Sequence, residues 1–224
     1  MGAIAARAKM MRRRTVVGGF MAAALAACDK DQPQPPKPAS THDLVELIAL
    51  DPTIHLDLRY ATVNNLTGRI LYSQPRALMQ TQAAAALVRA HHRAQAVGFG
   101  LTIFDAYRPW RVTKQLWDAT PVAQHHYVAN PKQGSRHNRG CAVDLTLHRL
   151  SDGAVVEMPS VFDDFSARAH RVFLDASQIA IANRTRLARL MEAEQFEERW
   201  DEWWHFDFHD WHMHPVLDLP FEDV

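Results

Sequence analysis

Ser135-Arg136-His137-Asn138-Arg139-Gly140-Cys141-Ala142-Val143-Asp144-Leu145 sets an imidazole and a carboxylate seven positions apart around a glycine turn. That is half of a metal site. The run from Cys141 to Leu147 alternates and carries β-branched Val143 and Thr146, so Asp144 is expected on a strand and His137 on the loop that enters it. Glu202-Trp203-Trp204-His205, near the C-terminus, offers a second imidazole with a carboxylate three positions ahead of it. Zn²⁺ takes imidazole nitrogen and carboxylate oxygen, and hydrolytic sites use three protein ligands and leave a fourth place for water. His137, Asp144 and His205 fill those three places, for one zinc per chain, and Glu202 is the candidate base for the water's proton. On a regular strand Glu202 and His205 would face opposite sides, so Glu202 must sit at a bulge or on the turn before the strand.

Outward from this stretch, Ile54, Leu56, Leu58 and Tyr60 alternate with polar residues, which predicts a half-buried strand with Tyr60 aimed inward. As a plain core residue Tyr60 would need only a backbone partner for its hydroxyl. Residues 81–97 carry Leu87, Ala90, Ala94 and Val97 on one helical face and stop at Gly98, with His91 and His92 expected at the surface. A central strand from Leu101 to Phe104 turns out at Pro109, which holds Arg108 at a strand end. There the guanidinium could pair with Asp105 or donate to a carbonyl oxygen gaining negative charge. Residues 112–117 read as a short helix, 121–134 as a long loop that could border the cleft and bears solvated His125 and His126, and 183–193 as a second scaffold helix. Ser151-Asp152-Gly153 predicts a hairpin returning along 155–158, and aromatic residues 203–208 suit a strand. With no rigid element evident behind them, His209, His212 and His214 are expected at the surface or the cleft rim, an adventitious metal site there being the alternative, and Cys141 as a buried small hydrophobe rather than a zinc ligand.

Several motifs occur together in one order. They are Arg59-Tyr60-Ala61-Thr62 with Asn65-Leu66-Thr67-Gly68, Asp105-Ala106-Tyr107-Arg108-Pro109, the run 135–140, Asp144-Leu145-Thr146-Leu147, Phe162-Asp163 and Glu202-Trp203-Trp204-His205-Phe206. Through them the chain resembles the D-alanyl-D-alanine dipeptidases of the VanX type, zinc peptidases that share a fold with DD-carboxypeptidases and the hedgehog signalling domain. The resemblance implies an α+β domain, an antiparallel sheet flanked by helices, that hydrolyses a small D,D-dipeptide. It assigns Arg108 to the oxyanion and Asp163 to the substrate's α-ammonium, with Asp164 the alternative occupant of that role. It sets Tyr60 and Ser135 at the substrate's ends and Trp203 and Trp204 as walls. The family commonly has glycine where this chain has Pro159. A carboxypeptidase or endopeptidase acting on peptidoglycan stems shares the zinc set without needing the ammonium, so Asp163 and Tyr60 favour the dipeptidase. A zinc-stabilised wall-binding lipoprotein would have no use for Glu202.

The first residues carry Arg7, Lys9 and Arg12-Arg13-Arg14, then an apolar run ending Leu25-Ala26-Ala27-Cys28. This reads as a lipoprotein signal over 1–27, with acylation of Cys28, a Pro-rich tether over 28–40 and the zinc domain over 41–224. The expected product is exported and held at the membrane by a lipid anchor alone. Once the signal is removed, 20 basic side chains face 25 acidic ones. A mildly acidic chain lacks the basic surface that nucleic acid requires.

Overall fold

The computed structural model describes residues 33–37 and 42–224. The expected signal, Cys28 and most of the tether therefore lie outside the described residues. Described elements in chain order are β1 (Leu44–Glu46), α1 (Leu47–Leu50), β2 (His55–Leu56), β3 (Leu78–Gln80), α2 (Thr81–Gln95) and β4 (Phe99–Asp105). They continue with α3 (Trp110–Ala119), β5 (Ala142–Arg149), α4 (Gln178–Glu192), β6 (Phe196–Glu198) and β7 (His205–Phe208). Strands β2-β4-β5-β7-β6 form one five-stranded sheet, and β1 pairs with β3 in a separate ribbon. Every pairing is antiparallel except β2 with β4, which is parallel. This is the expected α+β arrangement, with one parallel edge that the alternation did not foretell.

The sheet owes its rigidity to β5, whose residues from Ala142 to His148 are all buried. Val143, Leu145 and Leu147 point to one face and Asp144, Thr146 and His148 to the other, as a period of two demands. Helices α2 and α4 pack on each other and on the sheet, and their buried alanines and leucines join one continuous core. Gly140, just before β5, adopts φ +69°. A Cβ there would also crowd the Leu44 side chain and stand 3.2 Å from Gln80 N, so glycine suits the close approach of the ligand turn to the β1–β3 ribbon.

Local competition explains where elements differ from expectation. The strand expected through Tyr60 ends at Leu56, and Arg59–Ala61 form a 3-10 turn. The Asn65 amide donates to the carbonyls of Arg59 (3.2 Å), Thr62 (2.7 Å) and Arg69 (2.8 Å), which ties the chain after Leu58 into a closed loop instead of an extended strand. Tyr60 is nevertheless buried, as expected. The return arm after Gly153 is a single bridge, His148 to Val155, instead of a strand over 155–158. Asn183 draws that segment toward α4 by donating to the Glu157 carbonyl at 3.0 Å. Helix α4 starts five residues before the expected 183 because Ser177 caps it, its hydroxyl accepting from Ala180 N at 3.0 Å.

His91 is fully buried rather than at the surface. Its Nδ1 accepts from Leu101 N at 3.1 Å and its Nε2 meets Thr53 Oγ1 at 2.9 Å, so it stitches α2 to β4. His92 is exposed as expected. Residues 203 and 204 belong to the turn ahead of β7, not to the strand.

Candidate metal centre and active site

Asp144 on β5 and His205 on β7 are directly paired across the antiparallel ladder, so their side chains leave the same face. His137 opens a 3-10 turn, His137–Arg139, that Gly140 closes in the left-handed region. Asn138 fixes that turn by donating to Arg108 O at 2.7 Å and Thr113 Oγ1 at 2.8 Å, and by accepting from Ser135 N at 2.7 Å. Among the described residues, His137, Asp144 and His205 bring one ligand atom each within 4.8 Å of the others, all three buried.

The outer hydrogen bonds fix which atoms face inward. His137 Nδ1 lies 2.7 Å from the Ala106 carbonyl, which can only accept, so this nitrogen carries the proton and Nε2 presents a lone pair. His205 Nε2 donates to Asp207 Oδ1 at 2.9 Å, which turns Nδ1 inward. There Nδ1 faces His137 Nε2 at 3.1 Å and Asp144 Oδ1 at 2.9 Å. Three acceptors thus converge with no proton supplied by their outer partners, and that arrangement fits a cation. Burial alone would lower the His205 pKa, yet Asp207 and Asp144 raise it to about 10. Burial likewise opposes ionisation of Asp144, but His137 and His205 hold its carboxyl far below the usual range. The pocket is built to keep positive charge at its centre.

Asp207 was not singled out from the sequence, although it stands two positions after His205 and so shares its strand face. A carboxylate behind a metal-facing imidazole sets its tautomer and basicity. Asp207→Asn is expected to weaken zinc binding about 10- to 100-fold, measured by competition with a chromophoric chelator. Unchanged affinity would remove Asp207 from this support.

The remaining candidates mostly surround the same point. Arg108 is buried; its Nε and Nη2 donate to Asp105 Oδ2 at 2.9 and 2.6 Å, and Nη2 lies 3.7 Å from Asp144 Oδ2. Pairing with Asp105 and facing the site, posed as alternatives from sequence, hold together. Burial weakens the guanidinium's hold on its proton, and Asp105 more than restores it. Asp105 itself was read only as a partner, yet it also accepts from the Tyr72 hydroxyl and from Ala106 N. Glu202 sits on the turn before β7, where His205 N donates to its carbonyl at 3.2 Å. Its Oε2 lies 3.7 Å from His205 Nδ1, and burial raises its carboxyl against the pull of Arg199 and His205. This turn resolves the strand conflict between Glu202 and His205.

Tyr60, Arg108, Ser135, His137, Asp144, Asp163, Glu202, Trp204 and His205 all line one cavity of about 50 Å³. Ser135 Oγ accepts from His137 N at 3.2 Å, so it braces the ligand turn as well. The Tyr60 hydroxyl donates to Asp163 Oδ2 at 3.2 Å. Asp163 adopts φ +61°. Burial first, and then Asp144, push its carboxyl up to about 8, with Arg108 and Tyr60 opposing. Asp164 turns to the backbone instead, accepting from Ser166 N at 3.0 Å. Trp203 is not a wall of this cavity: its indole donates to Ser160 Oγ at 3.0 Å on the far side. Stacked Tyr127 and Phe165 rings, 4.7 Å apart, close the rim between the 121–134 segment and the Asp163 loop. Beyond them an open cleft of about 710 Å³ is bordered by His125 and His126, as expected of that segment. His125 is not free in solvent, however, since it packs on Trp117 at 3.8 Å.

Residues 40–222 match the peptidase M15 family, described as D-ala-D-ala dipeptidase. The chain is 36% identical over 179 residues to the D-alanyl-D-alanine dipeptidase of Escherichia coli (strain K12), covering 80% of this chain and 91% of that one. It is 35% identical over 185 residues to the D-alanyl-D-alanine dipeptidase of Enterococcus faecium, covering 72% and 90% of the two chains. The enzyme of the same name from Enterococcus faecalis (strain ATCC 700802 / V583) is 32% identical over 196 residues, covering 78% and 93%. With the family match spanning nearly the whole described domain and three relatives above 30% identity, the chain belongs to the M15 family of D-Ala-D-Ala dipeptidases, zinc metallopeptidases.

Proposed function

We propose that this chain cleaves D-Ala-D-Ala to two molecules of D-alanine at a single catalytic zinc held by His137 Nε2, Asp144 and His205 Nδ1. The observation that carries the reading is the convergence of those three acceptors beside a fourth group, the half-buried Glu202 carboxylate, that is held back from them. Zinc bound there supplies Lewis acidity toward the scissile carbonyl and makes water nucleophilic near neutral pH. Glu202 takes the water's proton on its carboxylate, which burial makes more basic than usual, and returns a proton to the leaving amine nitrogen. Arg108, kept charged and aimed by Asp105, donates to the carbonyl oxygen as it gains negative charge. Asp163, braced by Tyr60, receives the substrate's α-ammonium, and Ser135 borders the opposite end. The small inner cavity supports a free dipeptide over a longer stem peptide.

The test is release of D-alanine from D-Ala-D-Ala by the purified chain, with L-Ala-L-Ala alongside. Cleavage of the D,D-dipeptide with little of the L,L-dipeptide is expected, and no release from the zinc-loaded chain would overturn the reading.

We further propose that the protein works in the cell envelope, exported and acylated at Cys28. Support comes from the charged start, the apolar run and Leu25-Ala26-Ala27-Cys28. Cys28→Ser is expected to leave a precursor that is not acylated when cells are labelled with a fatty acid. Native protein with an intact N-terminus in the soluble cytosolic fraction would refute this.

A further inference from the structure

Behind the catalytic centre, a second group of donors meets where the C-terminal tail crosses the ligand turn. We propose that Cys141, Asp210 and His214 form a second metal site, for a thiophilic divalent cation of the zinc and cadmium class. Their ligand atoms all lie within 4.8 Å of one another. Asp210 Oδ2 and His214 Nε2 are 3.6 Å apart, close to the edge of about 3.5 Å that a tetrahedron with bonds of about 2.0 to 2.3 Å requires. Sulfur, imidazole and carboxylate together are a zinc-type set, and the sulfur separates this site chemically from the catalytic one.

A second observation points to a cation. Asp210 Oδ1 is shut off from solvent and has no hydrogen-bond partner among the described residues. A buried carboxylate oxygen left in that state is unfavourable, and a cation would satisfy it. Cys141 loses little by turning its sulfur to a metal, since among the described residues the thiol makes only a weak hydrogen bond, to Arg139 O at 3.5 Å. Burial, with the charge of Asp210 beside it, pushes the thiol up to about 12, so metal-free Cys141 carries its proton. On binding, the S–H bond breaks, the sulfur–metal bond forms, and the proton passes to solvent. Thiolate and carboxylate then balance the dication.

The donors are carried on fixed backbone, contrary to the expectation that no rigid element stands behind the tail histidines. Asp210 and His214 bracket the 3-10 turn Trp211–Met213, in which Met213 N donates to Asp210 O at 2.8 Å. The Arg139 guanidinium donates to the His214 carbonyl, and Arg136 lies 4.4 Å over the Trp211 ring. Cys141 O accepts from Phe208 N at 2.7 Å. His209 and His212 stay exposed, as expected, while His214 is partly buried beside Asp210. An ion here would clip the tail to the segment that carries His137 and Asp144.

Cobalt(II) titration tests this, in a full chain carrying Cys28→Ser so that Cys141 is the one remaining thiol. A thiolate-to-cobalt charge-transfer band in the near ultraviolet is expected, a band that the sulfur-free catalytic site cannot give. Cys141→Ser should abolish it. His214→Gln, at a partly exposed position that the fold tolerates, should weaken cobalt binding at this band by at least the roughly tenfold that even outer-shell partners contribute. His205→Ala should leave the band intact. Zinc and cadmium should displace it and magnesium should not. No band at saturating cobalt, a band that survives Cys141→Ser, or full affinity in His214→Gln would overturn the proposal.

Discussion

Replacing His205 by Ala is expected to yield a folded protein without catalytic zinc and without dipeptidase activity. Replacing Glu202 by Ala should leave the zinc in place and cut turnover by about 10²- to 10⁴-fold, the usual contribution of a general base. The two variants separate because their side chains do different work at nearly the same place. His205 Nδ1 is one of three inward lone pairs, and a three-ligand site loses most of its affinity with any one of them. Glu202 stands 3.7 Å from that nitrogen, outside the ligand group, where the proposed reading has its carboxylate take the water's proton. Zinc is best counted in a Cys141→Ser background, so that metal at the thiol site is not scored as catalytic. Full zinc occupancy in His205→Ala would break the ligand set. Undiminished turnover in Glu202→Ala would move the proton transfer elsewhere, with Asp163 the next candidate in the cavity.

What could be read in the sequence, and what could not, follows from the range of the interactions involved. His137, Asp144 and His205 were legible because chemistry restricts which residues hold zinc and because β5 announces itself by alternation and β-branching. Glu202 was legible only as a contradiction, since strand periodicity puts it on the wrong side of His205. The structure resolves this by starting β7 at His205. Asp207 could have been found, because two positions along a strand is the same face, and only the absence of a metal-ligand role hid it. His91 could not. Its burial depends on Leu101 N and Thr53, partners on two other elements whose positions no local pattern encodes. The lost strand after Leu56 has the same origin in Asn65, whose side chain takes up three carbonyls from a position several residues away. The missed start of α4 was a local signal: Ser177 is a good cap, but Ile179 after it is apolar and yet exposed, which blurred the helical face. At the tail, the sequence showed three histidines but not the turn that pairs His214 with Asp210 and brings both to Cys141.

An N-acylated D-Ala-D-Ala is expected to be cleaved at least about a hundredfold more slowly than the free dipeptide, because the α-ammonium is the natural partner of Asp163. That carboxyl is largely withdrawn from solvent, is braced by the Tyr60 hydroxyl at 3.2 Å and is pushed up to about 8, with Arg108 compensating only in part. The substrate's ammonium supplies the missing charge, and pairing lets the carboxylate ionise where burial opposes it. Acylation removes the positive charge and leaves the acid unpaired in a cavity closed by Trp204, Phe165 and Tyr127. The acid then stays protonated and the charge-assisted hydrogen bonds to the ammonium are forfeited, roughly 3 to 6 kcal/mol for two such bonds. At about 1.4 kcal/mol per factor of ten, even the lower figure exceeds a hundredfold. The measurement is kcat/KM for the free and blocked dipeptides, in wild type and in Asp163→Ala. The variant should narrow the gap by damaging hydrolysis of the free dipeptide far more than that of the blocked one. If the wild type instead cleaves the blocked dipeptide or a stem pentapeptide as fast as the free one, Asp163 has no ammonium to pair with. The small cavity must then open toward the adjoining cleft, and the carboxypeptidase reading replaces the dipeptidase.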